Sequence, residues 1–150
     1  MSWQVYLAGE IHSQWRDDVS SMSRDRNLPI KFVSPNTNHA ASDECGAAAL
    51  GPEDKKFWYD FKSARLNQAR NQVLLEKSDI VVVRFGEDYR QWNSAFDAGF
   101  AVAHGKPLIS WHDESLGHAL KEIDAASTAV ANDVEQVVKS LSYICTGYVE

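Results

Sequence analysis

DIVVVRFGEDYRQWNSAFDAGFAVAHGKPLI, residues 79–109, decides the fold. Ile80-Val81-Val82-Val83 is a short, wholly apolar, β-branched run bounded by Asp79 and, three residues on, by Gly86. Such a run fits a strand buried on both faces of a parallel sheet. After a polar loop, Asn93-Ser94 opens an amphipathic segment whose apolar set is Ala95, Phe96, Gly99, Phe100, Val102 and Ala103, stopped by Gly105 and Pro107. Its 3.6-residue period predicts a helix of about three turns over 93–104. Leu108-Ile109 then starts a second strand, and the right-handed crossover makes the two strands parallel neighbours. In open α/β sheets ligands bind outside the carboxyl ends of the strands, where the loop after Val83 and the start of this helix belong.

Outward from that unit the same alternation continues. Trp3 to Ala8 is strand-like and ends at Gly9-Glu10-Ile11-His12; Ser13 is positioned to cap a helix carrying Trp15, Val19 and Met22 on one face. Ile30 to Val33 is a second strand, closed by Ser34-Pro35. Asn36 to Lys56 is polar and small, without a stable period, and is expected to be a long loop over the carboxyl edge that brings Asn38, His39 or Asp43 to a ligand. A helix is expected from about Tyr59 to Lys77, with an unusually polar middle around Arg65 to Gln72. Ser115 to Ala125 reads as helix, Thr128 to Ala131 as the last strand, and Asp133 to Ile144 as a closing helix. Five strands interleaved with helices give a doubly wound, flavodoxin-like parallel sheet of order 2-1-3-4-5 with helices on both faces, one domain over 1–150. That order sets Gly9–His12 beside the Gly86–Asp97 segment.

Composition narrows the function. Apolar residues make up 44% of the 150 and charged residues 24%, with no run long enough to span a membrane. The start MSWQVYLAG has no basic region or cleavage site, so a cytoplasmic location is expected. Cys45 and Cys145, a hundred residues apart, read as free thiols. A net charge of −6 argues against nucleic acid as a partner and leaves small molecules. There is no G-x-G-x-x-G, no G-x-x-x-x-G-K-[ST] and no G-x-S-x-G, and the histidines show no zinc spacing, so no metal and no cofactor is implied.

What remains is carboxylates and amides at strand ends: Glu10, Glu87, Asp88, Asn93 and Asp97. A carboxylate is a competent nucleophile toward an anomeric carbon, whose oxocarbenium-like transition state a negative charge stabilises. Asp97 is the candidate. The pattern Ser94-x-x-Asp97 equally fits a capping box, with Asp97 in the first turn satisfying backbone donors. His12 and His39 are candidates as loop histidines, Tyr6 as a strand aromatic, Trp92 as a ring that stacks on a base or covers the core, and Asp60, Arg70 and Asn71 as a polar helix face that either meets water or lines a site.

Tyr6-Leu7-Ala8-Gly9 before Glu10-Ile11-His12, Leu75-Glu76-Lys77-Ser78-Asp79 ahead of the central strand, and Ser94-Ala95-Phe96-Asp97-Ala98-Gly99-Phe100-Ala101 before Gly105-Lys106-Pro107 together resemble the nucleoside 2-deoxyribosyltransferase superfamily, in its YtoQ-like branch. The resemblance covers nearly the whole chain. It implies a carboxylate nucleophile at Asp97, one methylene shorter than the family's Glu, with a tyrosine beside it at Tyr6. The family's base-binding acid falls on Asn71 and its sugar-binding acid on Gln91. Glu10, His12 and Asp60 are the available replacements for the missing acids, with Glu10 or His12 as general acid. Gly9, Gly86, Asn38, His39, Arg70, Trp92, Asn93 and Ser94 complete the expected substrate contacts. The implied activity is transfer or hydrolysis at the N-glycosidic bond of a nucleoside or nucleotide; the alternative is a non-catalytic module that only binds such a ligand. A homodimer or dimer-based oligomer is expected, because Trp58, Tyr59, Trp92, Trp111, Tyr143 and Tyr148 are more large aromatics near edges and ends than one such core encloses.

Overall fold

The computed structural model describes residues 1–88 and 90–149. In chain order the elements are β1 (Trp3–Ala8), α1 (Trp15–Asp25), β2 (Ile30–Val33), α2 (His39–Leu50), α3 (Lys56–Glu76), β3 (Ile80–Phe85), α4 (Trp92–Ala103), β4 (Leu108–His112), a 3-10 turn (Glu114–Leu116), α5 (Lys121–Ala126), β5 (Ala129–Ala131) and α6 (Val134–Thr146). The sheet is parallel throughout, in the order β2-β1-β3-β4-β5. The topology read from the alternation of apolar runs is therefore the topology of the molecule.

β3 is central because its sequence tolerates no water on either face: Ile80, Val81, Val82 and Val83 are wholly buried. Successive strand residues point to opposite faces, and the core divides accordingly. Ile80 and Val82 pack with Val5, Leu7, Trp15 and Val19, and with Val137, Val138 and Leu141 of α6. Val81 and Val83 pack on the other side with Tyr6, Ala8, Leu75, Ala98 and Ala101. The register Tyr6↔Val81 and Ala8↔Val83 brings the carboxyl ends of β1 and β3 level, which opens one shared edge.

Five expectations change. The segment 36–56 is not one long loop, since 39–50 is helical. Its signal was weak because α2 is bound to α3 by polar groups and a close backbone approach in place of an apolar stripe. Asn38 caps it, accepting from the Ala41 amide at 3.0 Å. Ser63 of α3 accepts from the Gly46 amide at 3.0 Å and donates to the Asp43 carbonyl at 2.6 Å, and Asn67 donates to the Ser42 carbonyl at 2.9 Å. A β-carbon on Gly46 would run into the Ser63 amide and the Lys62 backbone, so only glycine permits this approach. With α2 ordered, α3 starts at Lys56, a few residues before Tyr59.

The helix after β3 begins at Trp92, one residue early, because the Gln91 carbonyl already accepts from the Ala95 amide at 3.1 Å. Asp97 consequently lies in the second turn, and Ser94 makes no side-chain cap, which removes the capping-box alternative. Ser13 is no cap either: its amide and hydroxyl both donate to the Glu10 carboxylate, and α1 starts at Trp15. The stretch 115–125 is broken rather than continuous. Asp113 starts the 3-10 turn by accepting from the Ser115 amide at 2.8 Å, and helix resumes only at Lys121.

Candidate functional site

At the carboxyl edge of β1, β2 and β3 lies a cleft of about 320 Å³. Its floor and walls are Gly9 to His12 after β1, Pro35 and Asn36 after β2, and Arg90, Gln91, Asn93, Ser94 and Asp97 around the start of α4. Ser42 of α2 and Asn71 of α3 close the far side. Gly9 makes the turn possible: its φ is +151°, and a β-carbon there would stand 2.8 Å from the Trp15 ring and 2.9 Å from the Arg84 carbonyl.

The loop after β1 is held from beneath by a buried cation. Arg16 donates to the carbonyls of Leu7 at 3.2 Å, Gly9 at 2.9 Å and Glu10 at 2.5 Å. Burial pulls its pKa down to about 10, partly offset by the charge of Glu10, so it stays charged at neutral pH. Its fork geometry suits three carbonyls better than a lysine would. Glu10, whose side chain is only 5% exposed, accepts from the His12 amide at 2.5 Å, the Ser13 amide at 3.0 Å, the Ser13 hydroxyl and Arg84 at 3.3 Å. Burial pushes its carboxyl up, but the Ser13 hydroxyl, the two amides and the Arg84 charge outweigh that and hold it below the ordinary glutamate value. Glu10 is thus an ionised acceptor with its oxygens occupied.

Asp97 is in the opposite condition. It lines the cleft from the second turn of α4, and burial raises its carboxyl to about 6. No hydrogen bond from a described residue reaches it. Beneath it Tyr6 is wholly buried, its hydroxyl without a partner among the described residues; burial first, and then the negative charge of Asp97, raise the phenol above its ordinary range. Two further buried oxygens, Asn71 Oδ1 and Gln91 Oε1, also have no donor among the described residues. The Gln91 amide cannot turn to hide its oxygen, because its nitrogen donates to the Gly86 carbonyl at 2.9 Å. Buried acceptors without donors are rare in folded proteins, and at a cleft they can accept from a bound ligand or water.

Of the residues named from sequence, Gly9, Glu10, His12, Asn71, Gln91, Asn93, Ser94 and Asp97 meet at the cleft, with Tyr6 beneath and Gly86 fixing Gln91. Others stand elsewhere. Asn38 is spent on capping α2, and His39 is exposed, 3.5 Å from Asp43, its ring 5.3 Å from that of His12. Asp60 pairs with Lys56 on the outer face of α3, Arg70 donates to the Ser34 carbonyl at 2.9 Å, and Trp92 is 73% exposed. Sequence reading passed over Pro35, Asn36, Ser42 and Arg90. Pro35 and Asn36 follow a strand end and carried the same positional signal as Gly9, whereas Ser42 depended on α2. Among the described residues no three His, Cys, Asp or Glu side chains converge as a metal-ligand set.

Comparison with known proteins agrees with this architecture. The family described as nucleoside 2-deoxyribosyltransferase YtoQ matches residues 6–145. The protein YtoQ of Bacillus subtilis (strain 168), described as uncharacterized, is 44% identical over 144 residues, covering 96% of this chain and 97% of its own. Among solved structures, a 2-deoxyribosyltransferase from Bacillus psychrosaccharolyticus superposes with a TM-score of 0.59 at 19% identity over 90% of each chain. The CMP N-glycosidase BcmB of Clostridium botulinum gives 0.53 at 13% identity, covering 94% of this chain and 98% of its own. Those two likenesses are of fold. The match across residues 6–145 and the 44% identity go further, and on them the chain belongs to the YtoQ family of nucleoside 2-deoxyribosyltransferases.

Proposed function

We propose that the chain breaks or transfers the N-glycosidic bond of a nucleoside or nucleotide through Asp97. The observation that carries this is a carboxyl that burial raises to about 6 while its oxygens have no donor among the described residues, in a cleft at the switch point of the sheet. Near neutral pH such a group is mostly ionised, poorly solvated and free to attack. An Asp97 oxygen adds to the anomeric carbon as the bond to the base nitrogen breaks, and the bonding electrons leave with the base. Attack by water or by a second base on the same carbon then frees the carboxylate. Family membership and the N-glycosyl chemistry named for the two structural neighbours support the same class of reaction.

The other residues take roles suited to their bonding. Tyr6, buried beneath Asp97 with its hydroxyl unpartnered among the described residues, is the neighbouring group available to donate to that carboxylate as the substrate binds. Asn71 and Gln91 accept hydrogen bonds from substrate N–H and O–H groups, and neither supplies a proton. Glu10, ionised and occupied, fixes the loop that presents His12, which leaves His12 as the group that protonates the departing base. Gly9, Asn93 and Ser94 shape the sugar end. The assembly we propose is a homodimer through the apolar beginning of α3, where Phe57, Trp58 and Phe61 are exposed, with Trp58 edge-on to both phenylalanines.

A slow 2-fluoro-2-deoxynucleoside panel tests the reaction. Intact-mass spectrometry is expected to find one glycosyl adduct, mapped to Asp97 and missing in Asp97→Asn. Tight binding without any adduct would move the protein to the non-catalytic alternative.

A further inference from the structure

The cleft is not electrostatically uniform. Glu10 has its charge compensated by Arg84 and by its hydrogen bonds, whereas the wall at the start of α4 carries donors, Arg90 and Ser94, beside the Gln91 oxygen. The amides of Trp92, Asn93 and Ser94 are in the first turn of a 12-residue helix that no side chain caps, and none has an acceptor among the described residues. Free first-turn amides favour an anion. A second group points to a ligand at the same place: Ser94 is 5% exposed, lines the cleft, and its hydroxyl bonds to no described residue. Arg90 stands on the same wall, its guanidinium 5.5 Å from the centre of the Trp92 ring and paired with no carboxylate among the described residues.

We propose that the start of α4, with Ser94 and Arg90, binds the phosphate of a nucleoside 5′-monophosphate, so that the ligand is a nucleotide and not the free nucleoside. This rests on the cleft being a nucleoside site, as set out above. The spacing along α4 suits it. At about 1.5 Å per residue, Asp97 lies roughly 4–6 Å along the axis from Ser94 and Asn93. That is about the extent of a furanose ring with its exocyclic carbon. An anomeric carbon at Asp97 leaves a 5′-phosphate at the first amides of the helix. Guanidinium, hydroxyl and backbone N–H donors together form the usual partners of a phosphate.

Calorimetric titration of the full chain at fixed ionic strength, with ribo- and 2′-deoxynucleosides, their 5′-monophosphates and inorganic phosphate, tests it. For at least one base the monophosphate is expected to bind at least tenfold tighter than its nucleoside, with millimolar phosphate competing. The ratio of nucleotide to nucleoside affinity is expected to fall about tenfold in Arg90→Gln and in Ser94→Ala. Equal or weaker binding of the nucleotide overturns the phosphate site and leaves the nucleoside reading standing. A preference for nucleotide that survives in both variants overturns the assignment to this wall. Inorganic phosphate binding with no nucleotide binding overturns the proposal as well. Failure of every nucleoside and nucleotide to bind overturns both readings together.

Discussion

Asp97 and Glu10 lie in one cleft and are driven apart by their surroundings. Glu10 has four donors and is stabilised as an anion; Asp97 has none among the described residues and is penalised as one. Divergence of this kind separates roles between two carboxylates. It also fixes the sign of a stability effect. The folded-state pKa of Asp97 is raised from 3.8 to about 6, so the folded protein holds its proton more tightly than the unfolded chain, and stability falls as pH rises through that window. Below about pH 4 the carboxyl is protonated in both states and the penalty vanishes. Asp97→Asn is therefore expected to be more stable than the wild type at pH 7, by about 1–3 kcal/mol, with the difference fading below pH 4. Denaturant melts at pH 3.5, 5 and 7 check this; a variant less stable at pH 7 would show that the carboxylate is held by donors after all. For a reaction begun by the carboxylate, the acid limb of kcat/KM is expected to rise with pH through about 6.

The pairing of α2 with α3 decides whether the cleft has a far wall, since Ser42 is delivered by α2 and Asn71 by α3. The two helices approach through Gly46 and a ladder running from Ser63 and Asn67 to the α2 backbone, with little apolar area to absorb a change. Gly46→Val is expected to cost about 1–3 kcal/mol from overpacking. Because the clash is with α3 backbone, it should also lower ligand affinity while leaving the sheet intact. Hydrogen exchange would show lost protection confined to 39–67, with β1 and β3 unaffected. Protection lost evenly across the chain would mean that α2 is part of the main core.

On the scale of the whole molecule, the aromatics sort into two groups. Trp111 is half-buried against its own chain, with Trp15 edge-on at 5.9 Å and Arg84 at 5.0 Å from its ring. Phe57, Trp58 and Phe61 remain exposed, their rings 4.9 to 6.2 Å apart, with Leu50 exposed as well and Phe61 and Leu50 lining one shallow hollow. Contiguous apolar surface rimmed by charge is the mark of a protein interface. Light scattering at tens of micromolar is expected to give twice the 16.8 kDa chain mass, and Trp58→Glu to restore the single-chain value. A wild type at 16.8 kDa would end the dimer proposal.

The parallel strand order and the edge at which the cleft lies were written in local sequence. Runs such as Ile80–Val83 can satisfy their side chains only between two layers, and the crossover rule leaves one handedness for each connection. The same positional logic put Gly9–His12 beside Asp97 before any coordinates. What local sequence could not carry was anything settled by partners distant along the chain. α2 has no apolar stripe and exists because Ser63 and Asn67, some twenty residues away, satisfy its backbone. Asn38 changed role, and Ser94 lost its capping alternative, for the same reason: a side chain that can cap a helix or meet a ligand is committed only when the helix start is fixed. The separation of Glu10 from Asp97 was likewise tertiary. Their pKa values depend on burial and on which donors arrive, and Arg84, 74 residues from Glu10, becomes its partner only when β1 and β3 lie side by side.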